Sequence, residues 1–282
     1  MTQPERDTLE VLPLPSSRLI LIDLDKTLID ATYQVTNIRI YDEIKRVQAL
    51  GWQLGLSSDT PLEPLRRWLN EFGLNGPIVA ERGALLKLRD GKEISAHESG
   101  EYFSELKRTL SDYMTQQRIP FFYGDATQLI RNDLNLLNMV DDHIVLLQAY
   151  RRHSLGFYTR KVDATGKLTP DNDGLLSMMH TVQRMIGSPS FRLVEDINPE
   201  YGIYILSPEE VSKRTATLIL MKELGIFEIG MIGDSTTDIL GEDIAIHYAV
   251  GNARDEFKKI SKYSSPHANT NGVVDILRHI KA

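Results

Sequence analysis

The chain contains no cysteine. That absence excludes disulfides, thiolate catalysis and Cys-ligated zinc, and it agrees with a reducing compartment, so a cytoplasmic location is expected. No apolar run approaches the ~20 residues of a membrane span. Residues 1–17, MTQPERDTLEVLPLPSS, lack the basic start and apolar centre of a secretory signal and read as a flexible lead-in. Positive charge is in deficit, with 32 Lys and Arg against 39 Asp and Glu and a net charge of −7. A general nucleic-acid or anionic-membrane binder is therefore excluded as the main reading. An anionic substrate would need a local cation, either a metal or a lysine. Repeats and low-complexity tracts are also missing. The seven histidines are scattered without metal-ligand spacing, so none is assigned a catalytic role.

What is present is ordinary in bulk and unusual in one place. The 282 residues, 41% hydrophobic and 25% charged, suit one large globular domain or two modest ones. The unusual place is LILIDLDKTLID, residues 19–30, where an aliphatic run ends in Asp23, Asp25 and Asp30. Alternate positions on a strand point the same way, so Asp23 and Asp25 are expected side by side. Like charges that close raise each other's proton affinity. The stretch asks for a cation, a shared proton, or both.

The surrounding pattern alternates strand and helix. RLILID is a near-continuous apolar run of the kind found in central parallel strands. A helix is expected over 37–50, then a strand in WQLGLS. TPLE at 60–63 reads as a capping box with Pro61 at the first helical position, opening a helix stopped by Gly73. PIVA is a third short strand. The pattern then changes over 84–207. A hairpin turns at Asp90-Gly91, and helices follow near 101–117, 127–138 and 173–186. IPFFYGD, HIVLLQAY, SLGFYTRKV, FRLVE and YGIYIL are read with them as largely antiparallel strands. From Ser212 the first pattern returns, with a helix to Leu224, strands in EIGMIGD and IHYAVG, and two closing helices. The expected fold class is α/β. A doubly wound parallel-sheet core over 18–83 and 208–282 is interrupted by an inserted α+β cap over 84–207.

In open α/β sheets, ligands sit outside the carboxyl ends of the strands. Three such ends carry polar groups: Asp23 with Asp25 and Thr27, then Ser57, then Asp234 with Asp238. Lys213 opens the helix that feeds the last of them. Asp23 and Asp234 offer hard oxygens suited to Mg²⁺. A carboxylate can also attack phosphorus, and a second one with a raised pKa can protonate the leaving oxygen. Lys213 stands at the positive end of its helix, a poor place for a cation unless an anion faces it. Asp238 would in any case stabilise the first turn of its own helix.

DLDKTL, LGLSS, SKRTA and GDSTTDI, in that order, resemble the four motifs of the haloacid dehalogenase-like phosphatases. The inserted block resembles, in position and length, the C2-type cap of the Cof-like subgroup. That subgroup includes sugar phosphatases and the sucrose-phosphate, mannosyl-3-phosphoglycerate and phosphoglycolate phosphatases. The resemblance implies a Mg²⁺-dependent phosphomonoester hydrolase working through an aspartyl-phosphate. Asp23 would be nucleophile and metal ligand, and Asp25 general acid/base, giving the metal its backbone carbonyl. Thr27 would support the turn, while Ser57 and Lys213 would bind the phosphoryl group. Asp234 would hold the metal, with Asp238 a further or water-bridged ligand. Three departures stand out. Lys26 occupies a position that is usually Gly, SSD at 57–59 replaces Thr-Gly-Arg, and AERGA at 80–84 replaces Glu-Asn-Gly.

A lone D-x-D-x-T is a weak signal; four motifs in order are a strong one. The substrate implied is a small phosphate ester, either a sugar phosphate or a phosphoglycolate-like acid. No nucleic-acid or membrane partner is expected, and the protein would be a monomer or homodimer. The alternatives are a sugar phosphomutase of the same fold and a non-catalytic sensor of a phosphorylated ligand. In the cap, Phe121, Phe122, Tyr123, Met178 and Met179 read as core. Arg151-Arg152 and Arg160-Lys161 read as solvated strand edges, with the alternative that one of them touches substrate from the cap.

Overall fold

The computed structural model describes residues 18–131 and 142–281; the expected lead-in over 1–17 lies outside them. The first sheet contains β1 (Arg18–Ile22), β2 (Gln53–Ser57), β3 (Ile78–Ala80), β4 (Leu85–Lys87) and β5 (Glu93–Ser95), and is completed by β12 (Glu228–Gly233), β13 (Ile246–Ala249) and β14 (Tyr263–Ser264). Its order is β14-β13-β12-β1-β2-β3-β4-β5. The pairings from β14 to β3 are parallel, and those of β3 with β4 and β4 with β5 are antiparallel. The Asp90-Gly91 hairpin forms as expected, with Gly91 at φ 91, but it extends this sheet rather than the second.

Alternation along β1 explains how both faces are covered. Ile20 and Ile22 join one core with α1 (Ile40–Ala49), α2 (Leu62–Phe72) and α8 (Asn269–His279). Leu19 and Leu21 join another with Ala216 and Leu220 of α6 (Lys213–Leu224). α7 (Asp255–Ile260) places Phe257 in the first of these cores. Helices on both faces of a mainly parallel sheet make the doubly wound arrangement.

The second sheet has the order β10-β11-β8-β7-β6, with β9 on β8. Its strands are β6 (Phe121–Gly124), β7 (His143–Gln148), β8 (Leu155–Val162), β9 (Leu168–Pro170), β10 (Leu193–Asn198) and β11 (Ile203–Pro208). Among the described residues, β6 pairs with β7 in parallel and the other pairings of this sheet are antiparallel. α3 (Gly100–Gln116) and α5 (Asn172–Met185) cover it, packing Phe103, Leu110, Leu175 and Val182 against Leu147, Phe157 and Tyr204. This is the inserted α+β cap. α4 (Ala126–Arg131) is the described part of the helix expected over 127–138; the remainder lies outside the described residues. Among the described residues, no helix is long and apolar enough to cross a membrane.

Two short strands, β9 and β14, escaped the sequence reading because neither spans a full apolar period. Arg151 and Arg160 correct it. They are 7% and 5% exposed rather than solvated.

Candidate active site

Register builds the site. Ile22 pairs with Ile232 on one side and Leu56 on the other, so adjacent strands release the chain at Asp23, Gly233 and Ser57. The Asp23 amide still donates to Ile232 O at 2.9 Å. β1 ends at Ile22, however, so Asp25 lies in the following turn and not on a strand face beside Asp23. That turn closes through Leu28 N to Leu24 O at 2.9 Å, and it sets Lys26 at φ 60.

α6 delivers the cation. Ser212 and Thr215 form a reciprocal capping box at its start, which fixes Lys213 as the first helical residue. Lys213 Nζ donates to Asp23 Oδ1 at 2.8 Å and to Asp238 Oδ1 at 2.6 Å, and all three side chains are buried. The unfavourable dipole position is thus offset by two anions. The other Asp238 oxygen accepts from the amides of Asp234 and Ser235 at 3.1 and 3.0 Å. A Cβ at Gly233 would lie 2.3 Å from that oxygen, so glycine leaves the carboxylate its room. Asp238 fastens the loop after β12 and orients Lys213.

Charge is unevenly balanced here. Burial pushes Asp23 well above the ordinary carboxylate range; Lys213 opposes this, while Asp238, Asp234 and Asp25 add to it. Burial and then the charge of Asp238 push Asp234 up to about 7. Burial would lower Lys213, but Asp23 and Asp238 outweigh it and hold the ammonium above its usual value. Oxygens of Asp23, Asp234 and Asp238 lie within 4.8 Å of one another. Hard oxygen donors with surplus negative charge fit a divalent cation.

Asp25 is held differently. Its Oδ2 accepts from Thr60 Oγ1 at 3.0 Å and from Ser58 Oγ at 3.4 Å. Burial raises its pKa despite those bonds. Thr60 therefore serves Asp25 rather than capping α2, which begins at Leu62 with Pro61 at its N-cap and no side-chain cap. Sequence reasoning missed Thr60 and Ser58 because TPLE satisfied a local rule. Thr27 Oγ1 and Ser57 Oγ are buried and, among the described residues, have no hydrogen-bond partner.

A cleft of about 230 Å³ opens beside Asp25 between core and cap. The core lends Lys26, Asp30, Tyr33, Asp59 and Thr60, and the cap lends Arg151, Tyr158, Asp196, Asn198 and Tyr201. Burial and then Tyr158 push the Tyr33 phenol up, and Arg160 donates to Tyr201 O at 2.6 Å. Glu81, at φ 49 after β3, clasps the cap. Its buried carboxylate accepts from the amides of Arg152 and His153 at 2.6 and 3.0 Å and from Ser154 Oγ at 2.6 Å. A glutamate in AERGA carried no visible signal of that role, since its partners lie more than 70 positions away.

Comparison with known proteins places the fold and the family. Among curated proteins none matches the chain. Solved structures do match in fold. A haloacid dehalogenase-like hydrolase from Bacteroides thetaiotaomicron has a TM-score of 0.63 at 18% identity, covering 94% of this chain and 99% of that one. One from B. subtilis has 0.61 at 17%, covering 94% and 100%. A trehalose-6-phosphate phosphatase related protein has 0.58 at 15%, covering 92% and 95%. The family model for haloacid dehalogenase-like hydrolases matches residues 20–277, and the chain belongs to that family.

Proposed function

We propose that the protein is a Mg²⁺-dependent phosphomonoesterase acting on a small metabolite. The observation that carries this reading is Lys213, buried between Asp23 and Asp238 where β1 and β12 end, with Asp25 facing the cleft. Asp23, Asp234 and the backbone carbonyl of Asp25 would hold the metal, with Asp238 behind them. When bound, Mg²⁺ would neutralise phosphoryl oxygens against an attacking anion.

The chain's own residues do the rest. Asp23 Oδ attacks phosphorus, the ester P–O bond breaks, and Asp25 passes its proton to the leaving oxygen. The raised proton affinity of Asp25 suits that donation. Asp25 then takes a proton from the water that attacks the aspartyl-phosphate, releasing phosphate and restoring Asp23. Lys213 stabilises the phosphoryl charge as its bond to Asp23 loosens. The unpartnered Ser57 Oγ offers a donor to a phosphoryl oxygen, and Thr27 supports the turn. The cap, taken to begin after β5, shields the reaction from bulk water.

Phosphate release from p-nitrophenyl phosphate, with Mg²⁺ and then with EDTA, tests the reading. Asp23→Asn should lower turnover by about 10³-fold or more. Turnover that survives both EDTA and this substitution would remove it.

A further inference from the structure

Two consecutive residues, Glu81 and Arg82, hold left-handed backbone at φ 49 and φ 61. A Cβ is disfavoured in that conformation, so it persists where the surroundings fix it from several sides. Three surroundings do so here. Gly83 closes the turn against the start of α6, where a Cβ would lie 2.3 Å from Ser212 O. The second is the cap. Glu81 accepts from the amides of Arg152 and His153 and from the Ser154 hydroxyl, and Arg82 Nη2 donates to Asp196 Oδ2 at 3.4 Å. The third is the loop after β2. The Glu81 amide donates to Thr60 O at 3.1 Å, and the Arg82 amide to Ser58 O at 3.3 Å.

That loop holds Asp25. Thr60 Oγ1 and Ser58 Oγ both donate to Asp25 Oδ2, and the Thr60 amide donates to Ser58 Oγ at 3.1 Å. Both hydroxyls meet the same oxygen, which leaves Oδ1 for the departing alcohol. Two short chains of contact therefore run from the cap to Asp25. One passes through Glu81 and Thr60, the other through Arg82 and Ser58. Neither includes Asp23 or Lys213, whose bonds run to one another, to Asp238 and to β12.

We propose that Glu81 and Arg82 are positioning residues for Asp25: they transmit the seating of the cap to its carboxyl, so that the proton reaches the leaving oxygen only with the cap in place. The inference rests on the phosphomonoesterase reading for the role of Asp25. A misplacement of the acid by about 1 Å costs up to about 10²-fold, whereas attack by Asp23 on phosphorus keeps its geometry. The dependence falls on esters whose alcohol must be protonated to leave, such as glycerol 3-phosphate. p-Nitrophenolate leaves without a proton, so p-nitrophenyl phosphate is the internal control.

The ratio kcat/KM ends at departure of the alcohol, which separates that step from hydrolysis of the aspartyl-phosphate. Glu81→Gln, Arg82→Gly and Thr60→Val should each lower it about tenfold more for glycerol 3-phosphate than for p-nitrophenyl phosphate. Arg82→Gly suits the left-handed backbone, and the melting midpoint reports folding. Thr60→Ser keeps the hydroxyl and should hold the ratio between the two esters where the unsubstituted protein has it. Glu81→Gln combined with Thr60→Val should add little to either alone, because both act through one carboxyl. Equal losses on the two esters would overturn the proposal, as would losses that multiply in the double variant. Hydrogen exchange tests the chain of contact without turnover. Ser154→Ala with Asp196→Ala loosens both cap ties and should speed exchange at the Thr60, Glu81 and Arg82 amides by about tenfold. Unchanged exchange there would also overturn it. If the unsubstituted protein hydrolyses neither ester, the esterase reading fails, and the exchange result decides the link between cap and Asp25 by itself.

Discussion

The core and cap halves of the cleft are held by different means. On the core side, Asp23, Lys213, Asp234 and Asp238 sit at strand ends or helix starts. Local backbone groups fix them, as the amides of Asp234 and Ser235 fix Asp238. On the cap side, Arg160 and Arg151 are placed by a remote carbonyl and a nearby hydroxyl, and Glu81 reaches over from the core to clasp residues 152–154. The core half concentrates charge that its own strand ends impose. The cap half depends on pairings between distant segments. Chemistry built the first way survives changes in the cap; selectivity built the second way can drift without disturbing the chemistry.

The strongest test of that contrast is Lys213→Met. It removes the ammonium bonded to both Asp23 and Asp238 and leaves two buried carboxylates close together. A loss of about 3–5 kcal/mol in unfolding free energy is expected by denaturant titration. Adding Asp238→Asn to the same chain should recover part of it, because one uncompensated charge disappears. A loss below about 1 kcal/mol would mean that the core half is not organised by this charge network.

On the other side, Glu81→Ala should cost less and act elsewhere. It leaves the Arg152 and His153 amides and the Ser154 hydroxyl without their acceptor. About 2–4 kcal/mol is expected, since each buried donor left unmade carries a desolvation penalty. Hydrogen exchange should locate the effect, with protection lost at Arg152 and His153 and retained along β1. Equal deprotection of β1 would show that the two halves are one cooperative unit and not separable.

How far the sequence reveals each half follows from the range of its interactions. The apolar run of β1, the Gly225 stop and the Ser212 start of α6 are local signals, and the structure has all three. The grouping of Asp23, Lys213, Asp234 and Asp238 was legible because each lies in a short motif at a strand end or helix start. Asp25 was placed less well, since the alternation argument needs a strand that continues past Ile22. Arg151 and Arg160 were misread as solvated. Burial of an arginine depends on what folds over it, here Gly156, Tyr158 and Tyr201, and no periodicity encodes that. The hairpin was recognised from its Asp-Gly turn but assigned to the wrong sheet, because a turn fixes the register of two strands and not the edge they join.

The smallest expected effect concerns pH, and it too separates the halves. His153 sits in the clasped segment, its Nε2 3.2 Å from Ser95 Oγ and its Nδ1 3.4 Å from Ser99 Oγ. Burial lowers its pKa; Glu81 opposes this, and the neighbouring His97, Arg152 and Lys107 add to the lowering. The folded ring is therefore neutral where the unfolded one takes up a proton, near the ordinary value of about 6.5. Below that pH the unfolded state binds more protons, so stability is complete above it and is lost as pH falls towards the lower folded value. Between about pH 7.5 and 5.5, the unsubstituted protein should lose more stability than His153→Gln, by less than about 1 kcal/mol because solvent screens part of the effect. Paired denaturant titrations at the two pH values measure the difference. The opposite sign would mean that Glu81 dominates the ring and holds it charged, which would make the clasp an ion pair rather than a set of neutral donors around one carboxylate.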